Sequence, residues 1–83
     1  MMIEVDGVAI GTACRRIRAS TGQLPEVLAG KVGVSSGTWR RMEAARKRLR
    51  IHAEFAQRVI ELHNRHCAKQ HLSISDFKPH PKI

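Results

Sequence analysis

A mainly all-α fold, compact, with four to five short helices and a short extended C-terminal tail, follows from three observations. Apolar residues recur three and four apart along most of the chain. Residues suited to stopping and starting helices, Gly22, Pro25, Gly33 and Ser35, sit between those periodic stretches. Aromatics are scarce, with one Trp, two Phe and no Tyr, so the core volume must come from Leu, Ile, Val, Met and Ala, as in small helical bundles. The 83 residues predict one domain near the lower limit for an independent core.

Met1 to Asp6 alternates weakly and ends in an Asp-Gly turn signal, which suits a short strand or a loose arm. Val8 to Ser20 reads as a helix, with Ala9 or Ile10, Ala13 and Ile17 on one face and Arg15, Arg16 and Arg18 around it. Thr21-Gly22 closes this helix, glycine being common just past a helix end. Pro25 opens the second helix, where its missing N–H costs nothing. Leu28, Ala29 and Val32 form its apolar face, and the small Ala29 lets another helix cross closely. Gly33 suits the positive φ of a sharp turn. Ser35 caps the third helix, whose inward pair is Trp39 and Met42 and whose opposite face carries Ser36, Gly37, Arg40 and Arg41. Residues 46–50 form a basic connector anchored by Leu49. A fourth helix from His52 to about His66 buries Phe55, Ala56, Val59, Ile60 and His63. Prolines in the tail forbid a long helix there. The organisation expected is an N-terminal arm over 1–7, a folded body over 8–66 and a C-terminal tail over 67–83.

Fifteen Lys and Arg face seven Asp and Glu, a formal charge of +8. Such a balance predicts a polyanionic partner, nucleic acid before an anionic membrane surface. No apolar run approaches the roughly 20 residues that span a bilayer, and no signal-peptide pattern is visible, so a cytoplasmic location without membrane contact is expected. Cys14 and Cys67 show no paired spacing and read as reduced thiols. His63, His66, Cys67 and His71 have a spacing that tempts toward zinc, but the cluster crosses a helix end and a structural site needs four placed ligands; no metal and no cofactor is expected. No arrangement of Ser, His and carboxylate suggests catalysis, so the chain is not expected to be an enzyme.

Two short helices joined by a tight turn, the second ending in positive charge, are the elements of a helix-turn-helix, whose second helix enters a DNA major groove. The stretch from Ile10 to about Arg50 resembles the lambda-repressor-like family of phage repressor, Cro-type and Xre regulators, through Ile17-Arg18, Gly22, Leu28-Ala29, Val32-Gly33-Val34-Ser35, Thr38 and Met42-Glu43. The resemblance implies a buried Arg18–Glu43 ion pair locking the first helix onto the third. It places base-reading positions at Ser36, Gly37, Arg40 and Arg41. Backbone contacts fall on Pro25, Glu26, Ser35, Thr38, Arg46, Lys47, Arg48 and Arg50. Where the family carries a polar cap and a glutamine at the second helix, this chain has Leu24 and Pro25; the usual glycine after the closing acid is Ala45, which predicts a longer third helix.

Arg40 and Arg41 are adjacent and project about 100° apart on a helix, so one at most points straight at a groove floor while the other holds phosphate. Trp39 faces inward and is expected in the core; Ser36 serves equally as a base contact or as part of the helix start. The resemblance implies a sequence-specific, double-stranded DNA-binding regulator, a repressor acting by promoter occupancy as a homodimer on an inverted repeat. Phe55, Val59, Leu62, Leu72, Ile74 and Phe77 are the expected dimer contacts, being more apolar residues than one small core requires. Three other readings share the features: an antitoxin whose tail holds a small protein partner, a protein-interaction module that has lost DNA reading, and a charge-driven, sequence-blind nucleic-acid binder.

Overall fold

The computed structural model describes residues 1–79. Along the chain come strand β1 (Met2–Val5), helix α1 (Gly7–Thr21), helix α2 (Pro25–Val32), helix α3 (Ser36–Ala44), strand β2 (Leu49–His52), helix α4 (Ala53–His66) and a 3-10 turn (Ile74–Phe77). The molecule is mainly helical, with α1 at its centre between α3 and α4, and α2 packed on α3. No described helix is long and apolar enough to cross a membrane.

Local chemistry sets the helix ends. The Asp6 side chain accepts from the Val8 N–H at 3.0 Å and caps α1. Gly22 ends it at φ 65°, its N–H donating to the Arg18 carbonyl. Pro25 begins α2 after a Leu24 that gives no side-chain cap. Gly33, at φ 90°, makes the turn into α3; its N–H and that of Val34 both donate to the Ala29 carbonyl. Ser35 caps α3, its Oγ accepting from the Thr38 N–H at 3.1 Å. One apolar core takes Ile10, Ala13, Cys14 and Ile17 from α1, Leu28, Ala29 and Val32 from α2, and Trp39 and Met42 from α3. Ala56, Val59, Ile60 and Leu62 from α4 complete it with Val5, Ile51 and Phe77.

Of the two readings of Met1 to Asp6, a short strand or a loose arm, the strand is the one that forms: β1 pairs antiparallel with β2, Ile3 opposite Ile51 and Val5 opposite Leu49. Three other expectations are corrected. The basic connector is thus partly a strand, because Leu49 and Ile51 alternate inward while Arg50 and His52 stay exposed. Helix α3 does not lengthen; Ala45 is extended at ψ 137°. Within the expected dimer surface, Val59, Leu62 and Phe77 are spent on the protomer's own core, which with so few aromatics needs them. Of the rest, Phe55 and Leu72 are half-buried and Ile74 is 41% exposed.

The described part of the tail is tied down. The Asn64 amide donates to the Leu72 carbonyl and its oxygen accepts from the Leu72 N–H, both at 2.8 Å, so one side chain imitates a strand partner. Further on, the Asp6 N–H donates to the Phe77 carbonyl at 2.7 Å. Residues 80–83 of the predicted tail lie outside the described residues.

Two glycines of α1, Gly7 and Gly11, receive the chain that leaves α3. A Cβ on Gly7 would fall onto the Lys47 carbonyl oxygen, and one on Gly11 would lie 3.0 Å from that of Glu43. Both contacts are with backbone, which cannot swing aside. Gly30, by contrast, faces open space on α2. Gly7→Ala should therefore cost at least ~2 kcal/mol as overpacking, whereas Gly30→Ala should gain ~0.5–1 kcal/mol from helix propensity. Denaturant midpoints of the two variants moving in opposite directions is the expected outcome.

Cys14 lies inside this core, and burial pushes its thiol from 9.0 up to about 12, with the nearby Glu43 carboxylate adding to the shift. Between those values the unfolded chain loses this proton and the folded chain keeps it. Stability should therefore be complete below pH 9.0 and fall as pH rises toward about 12. Unfolding free energies at pH 8 and 10.5 should differ less for Cys14→Ala than for the unaltered chain.

Candidate nucleic-acid interface

The turn at Gly33 leaves α3 with Trp39 and Met42 buried and Gly37, Arg40, Arg41 and Ala44 exposed. Ser36 is half-buried at the helix start, and a side chain at Gly37 would meet little but the Ser35 Oγ at 3.9 Å. Both arginines thus stand on the outer surface of α3. Their surroundings differ. Arg40 donates to the Glu26 carboxylate at 2.5 Å, across from α3 to the first turn of α2. Arg41 has no side-chain hydrogen bond or ion pair with any described residue.

The other predicted backbone contacts are arranged unevenly. Glu26 turns its carboxylate to Arg40, and Pro25 has no N–H to offer. The Val27 and Leu28 N–H groups both donate to the Leu24 carbonyl, which leaves the Glu26 N–H as the outward donor at the start of α2. The Ser35 and Thr38 hydroxyls meet at 2.9 Å, so one of their two protons remains available to a ligand. Arg46, Lys47, Arg48 and Arg50 are all exposed, Arg48 lying 3.6 Å from Glu4 of β1.

The Arg18–Glu43 pair forms at 2.6 Å, but it is not buried on both sides: Glu43 is 11% exposed and Arg18 49%. Half of Arg18 remains in water, which brings the pair nearer the ~0–1 kcal/mol of a surface bridge than the ~3–5 kcal/mol of a fully buried one. Glu43 does more than the sequence indicates. Its other oxygen accepts from the buried Trp39 indole N–H at 3.1 Å. Its backbone carbonyl accepts from Arg15 at 2.6 Å, a second arginine of α1 that sequence reading placed on the surface without a role. The signal for this close approach was Gly11, one turn before Arg15 on α1.

Arg15, Arg18, Pro25, Arg40, Glu43 and Ala44 border one shallow depression. Three guanidinium groups and one largely covered carboxylate give it a cationic rim, suited to phosphate or to the acceptor edge of a base. The histidine and Cys67 cluster does not gather: among the described residues no group of three or more His, Cys, Asp or Glu side chains is placed to hold a metal. His63 is buried, its Nδ1 3.0 Å from the Asn64 Oδ1. Comparison with protein-family models, curated proteins and solved structures finds no match to this chain.

Removing the Glu43 side chain leaves the Trp39 N–H buried without an acceptor, which costs about 1–3 kcal/mol. Glu43→Ala should therefore lower the melting temperature by roughly 4–20 °C, and Arg18→Ala by less than half as much. Glu43→Gln, which keeps an acceptor for the indole, should fall between them. Thermal unfolding followed by circular dichroism gives the order.

Proposed function

We propose that this chain is a lambda-repressor-like helix-turn-helix protein that binds double-stranded DNA sequence-specifically and regulates transcription as a homodimer by occupying a promoter. The observation that carries the reading is α3 itself. It is a rigid helix held from behind by Trp39 and Met42, preceded by a glycine turn from α2, with Gly37, Arg40 and Arg41 facing outward. An α-helix so presented fits a major groove, and an arginine can grip O6 and N7 of guanine with two parallel hydrogen bonds.

Within that reading the two arginines divide the work. Glu26 holds Arg40 toward the first turn of α2, the side that supports contact with the sugar-phosphate backbone. Arg41, unengaged among the described residues, is the base reader. One helix covers about four base pairs, too few to specify a promoter, which is the argument for two copies on half-sites about one helical turn apart, ~34 Å. With Val59, Leu62 and Phe77 inside the core, the exposed Ile74 and the half-buried Phe55 and Leu72 are what remains of the expected contact.

The test is selection of bound duplexes from a randomised pool at near-physiological salt. An enriched inverted repeat is expected; an unenriched pool recovered despite binding overturns sequence-specific reading in favour of a charge-driven binder. On the enriched site, Arg41→Ala should lose about 1–3 kcal/mol of discrimination at one position, while Arg40→Ala should weaken all sequences alike. Equal losses on every duplex for both variants would refute base reading by α3.

A further inference from the structure

The β1–β2 ribbon has two strands and therefore two outer edges, which differ in what they offer. The Ala53 N–H donates to the Met1 carbonyl at 2.8 Å, continuing the ladder by one pair. Backbone groups alternate in direction along a strand, so Met1, Ile3 and Val5 turn theirs toward β2 while Met2 and Glu4 turn theirs away. Asp6 obeys the same alternation: its N–H goes to the Phe77 carbonyl at 2.7 Å and not to β2. Among the described residues no strand lies along the rest of this edge, and the N–H and carbonyl groups of Met2 and Glu4 stand open to one.

Charge separates the two edges. Residues 1–14 hold Glu4 and Asp6 and no Lys or Arg, in a chain of formal charge +8. On β2 the outward backbone groups belong to Arg50 and His52, with Arg48 two positions before Arg50. Two copies joined by their β2 edges would crowd those cations together. Joined by their β1 edges, they meet along the stretch of chain where cations are absent. That edge also has apolar surface to cover: Met1 is 89% exposed, Met2 43%, and Ile3 is half-buried.

One antiparallel register satisfies the β1 edge. Outward groups bond only to outward groups, so even-numbered residues must face even-numbered ones. Met2 opposite Glu4 of a second copy, and Glu4 opposite its Met2, closes two hydrogen-bonded pairs and uses every open group. The two Ile3 side chains then lie side by side at the twofold axis. A shift of two residues toward Asp6 would set Glu4 opposite Glu4 and call on the Asp6 N–H that Phe77 already holds. A shift the other way leaves Glu4 unpaired. In the satisfied register the apolar pair Ile51–Ile3 continues into its own copy on the inner side. On the outer side each Glu4 lies between its own Arg50 and a neutral methionine.

We propose that two copies of this chain join through the free edges of β1, making one four-stranded antiparallel sheet in the order β2-β1-β1-β2 with Ile3 at the twofold axis. The proposal rests on the homodimer reading and gives it an interface made by residues other than Phe55, Leu72 and Ile74. Like edge on like edge closes as a dimer. Only the cationic β2 edges remain outside, so the sheet does not grow further.

Sedimentation equilibrium of the full chain over a concentration series is the test, with Glu4→Pro, Glu4→Gln and Ile74→Glu beside the unaltered protein. Proline at position 4 removes an N–H that faces away from β2, so the internal ladder is kept while the edge is blocked. Glu4→Pro is expected to raise the dimer dissociation constant about 30-fold, the effect of losing two hydrogen bonds across the twofold axis. Glu4→Gln keeps the N–H and should stay within about threefold of the unaltered chain. Ile74→Glu, in the tail, should change nothing. A second measurement does not depend on the proline variant folding. The two Ile3 Cα atoms would form a non-hydrogen-bonded pair about 4.5 Å apart, within reach of a disulfide. With oxidised glutathione as the electron acceptor, Ile3→Cys in a Cys67→Ser background should give a covalent dimer, and Cys67→Ser alone should give none. A folded Glu4→Pro that dimerises as tightly as the unaltered chain overturns this interface and leaves the homodimer reading standing. Should that variant fail to fold, absence of the cross-link overturns the interface. An unaltered chain that stays monomeric at every concentration overturns the interface and the homodimer reading together, while DNA binding is judged separately by the duplex selection.

Discussion

The carboxylate of Glu43 is the point at which α1 and α3 are held in register. It sits at the end of α3, nearly covered, with one oxygen on Arg18 and the other on the Trp39 indole. A carboxylate so covered is stable only when donors surround it. The chain supplies one from α1 and one from the helix's own buried face. Arg15 then takes the carbonyl of the same residue, so α1 holds both the side chain and the backbone of the last turn of α3. The outward pitch of Gly37, Arg40 and Arg41 is a consequence of this fixing. A helix of nine residues has little intrinsic stability, and its orientation has to be imposed by its neighbours.

Helix termini could be read directly from the sequence, since capping is chemistry between residues a few positions apart. Gly22, Pro25, Gly33 and Ser35 each stand where a helix stops or starts. The exposed set on α3 was equally legible, because an inward pair at Trp39 and Met42 determines which side faces water. The ribbon was legible only in part: Met1 to Asp6 suits a strand or an arm, the inward signal of its partner is only Leu49 and Ile51, and three helices separate the two in the chain. The link from Arg40 to Glu26 was likewise invisible, being a contact between different helices that no helical spacing anticipates.

Apolar residues beyond the helix-turn-helix unit misled for a related reason. Counting them suggests a surplus available to a partner, but Val59, Leu62 and Phe77 close the core over α1, where the only large aromatic from α3 is Trp39. A small protein with so few aromatics has no apolar surplus of that size. Its distinguishing excess is of charge. The acids present are mostly committed within the molecule: Glu43 to Arg18, Glu26 to Arg40, Glu4 to Arg48, and Asp76 to the Ser73 N–H. The cations outnumber them and remain on the outside.

The meeting of β1 with β2, and of Asp6 with Phe77, has a temporal consequence. The ribosome makes Val5 and Asp6 well before it makes their partners Leu49 and Phe77. At roughly 5–20 residues per second, Val5 waits about 2–9 s for Leu49, and Asp6 about 4–14 s for Phe77. Until then α1 lacks the strand beside its start, and Val5 has no covered site. The nascent chain can form individual helical turns, but closure waits for these long-range contacts. Strand β1 is thus secured only after α1, α2 and α3 have been made, although it is synthesised before them.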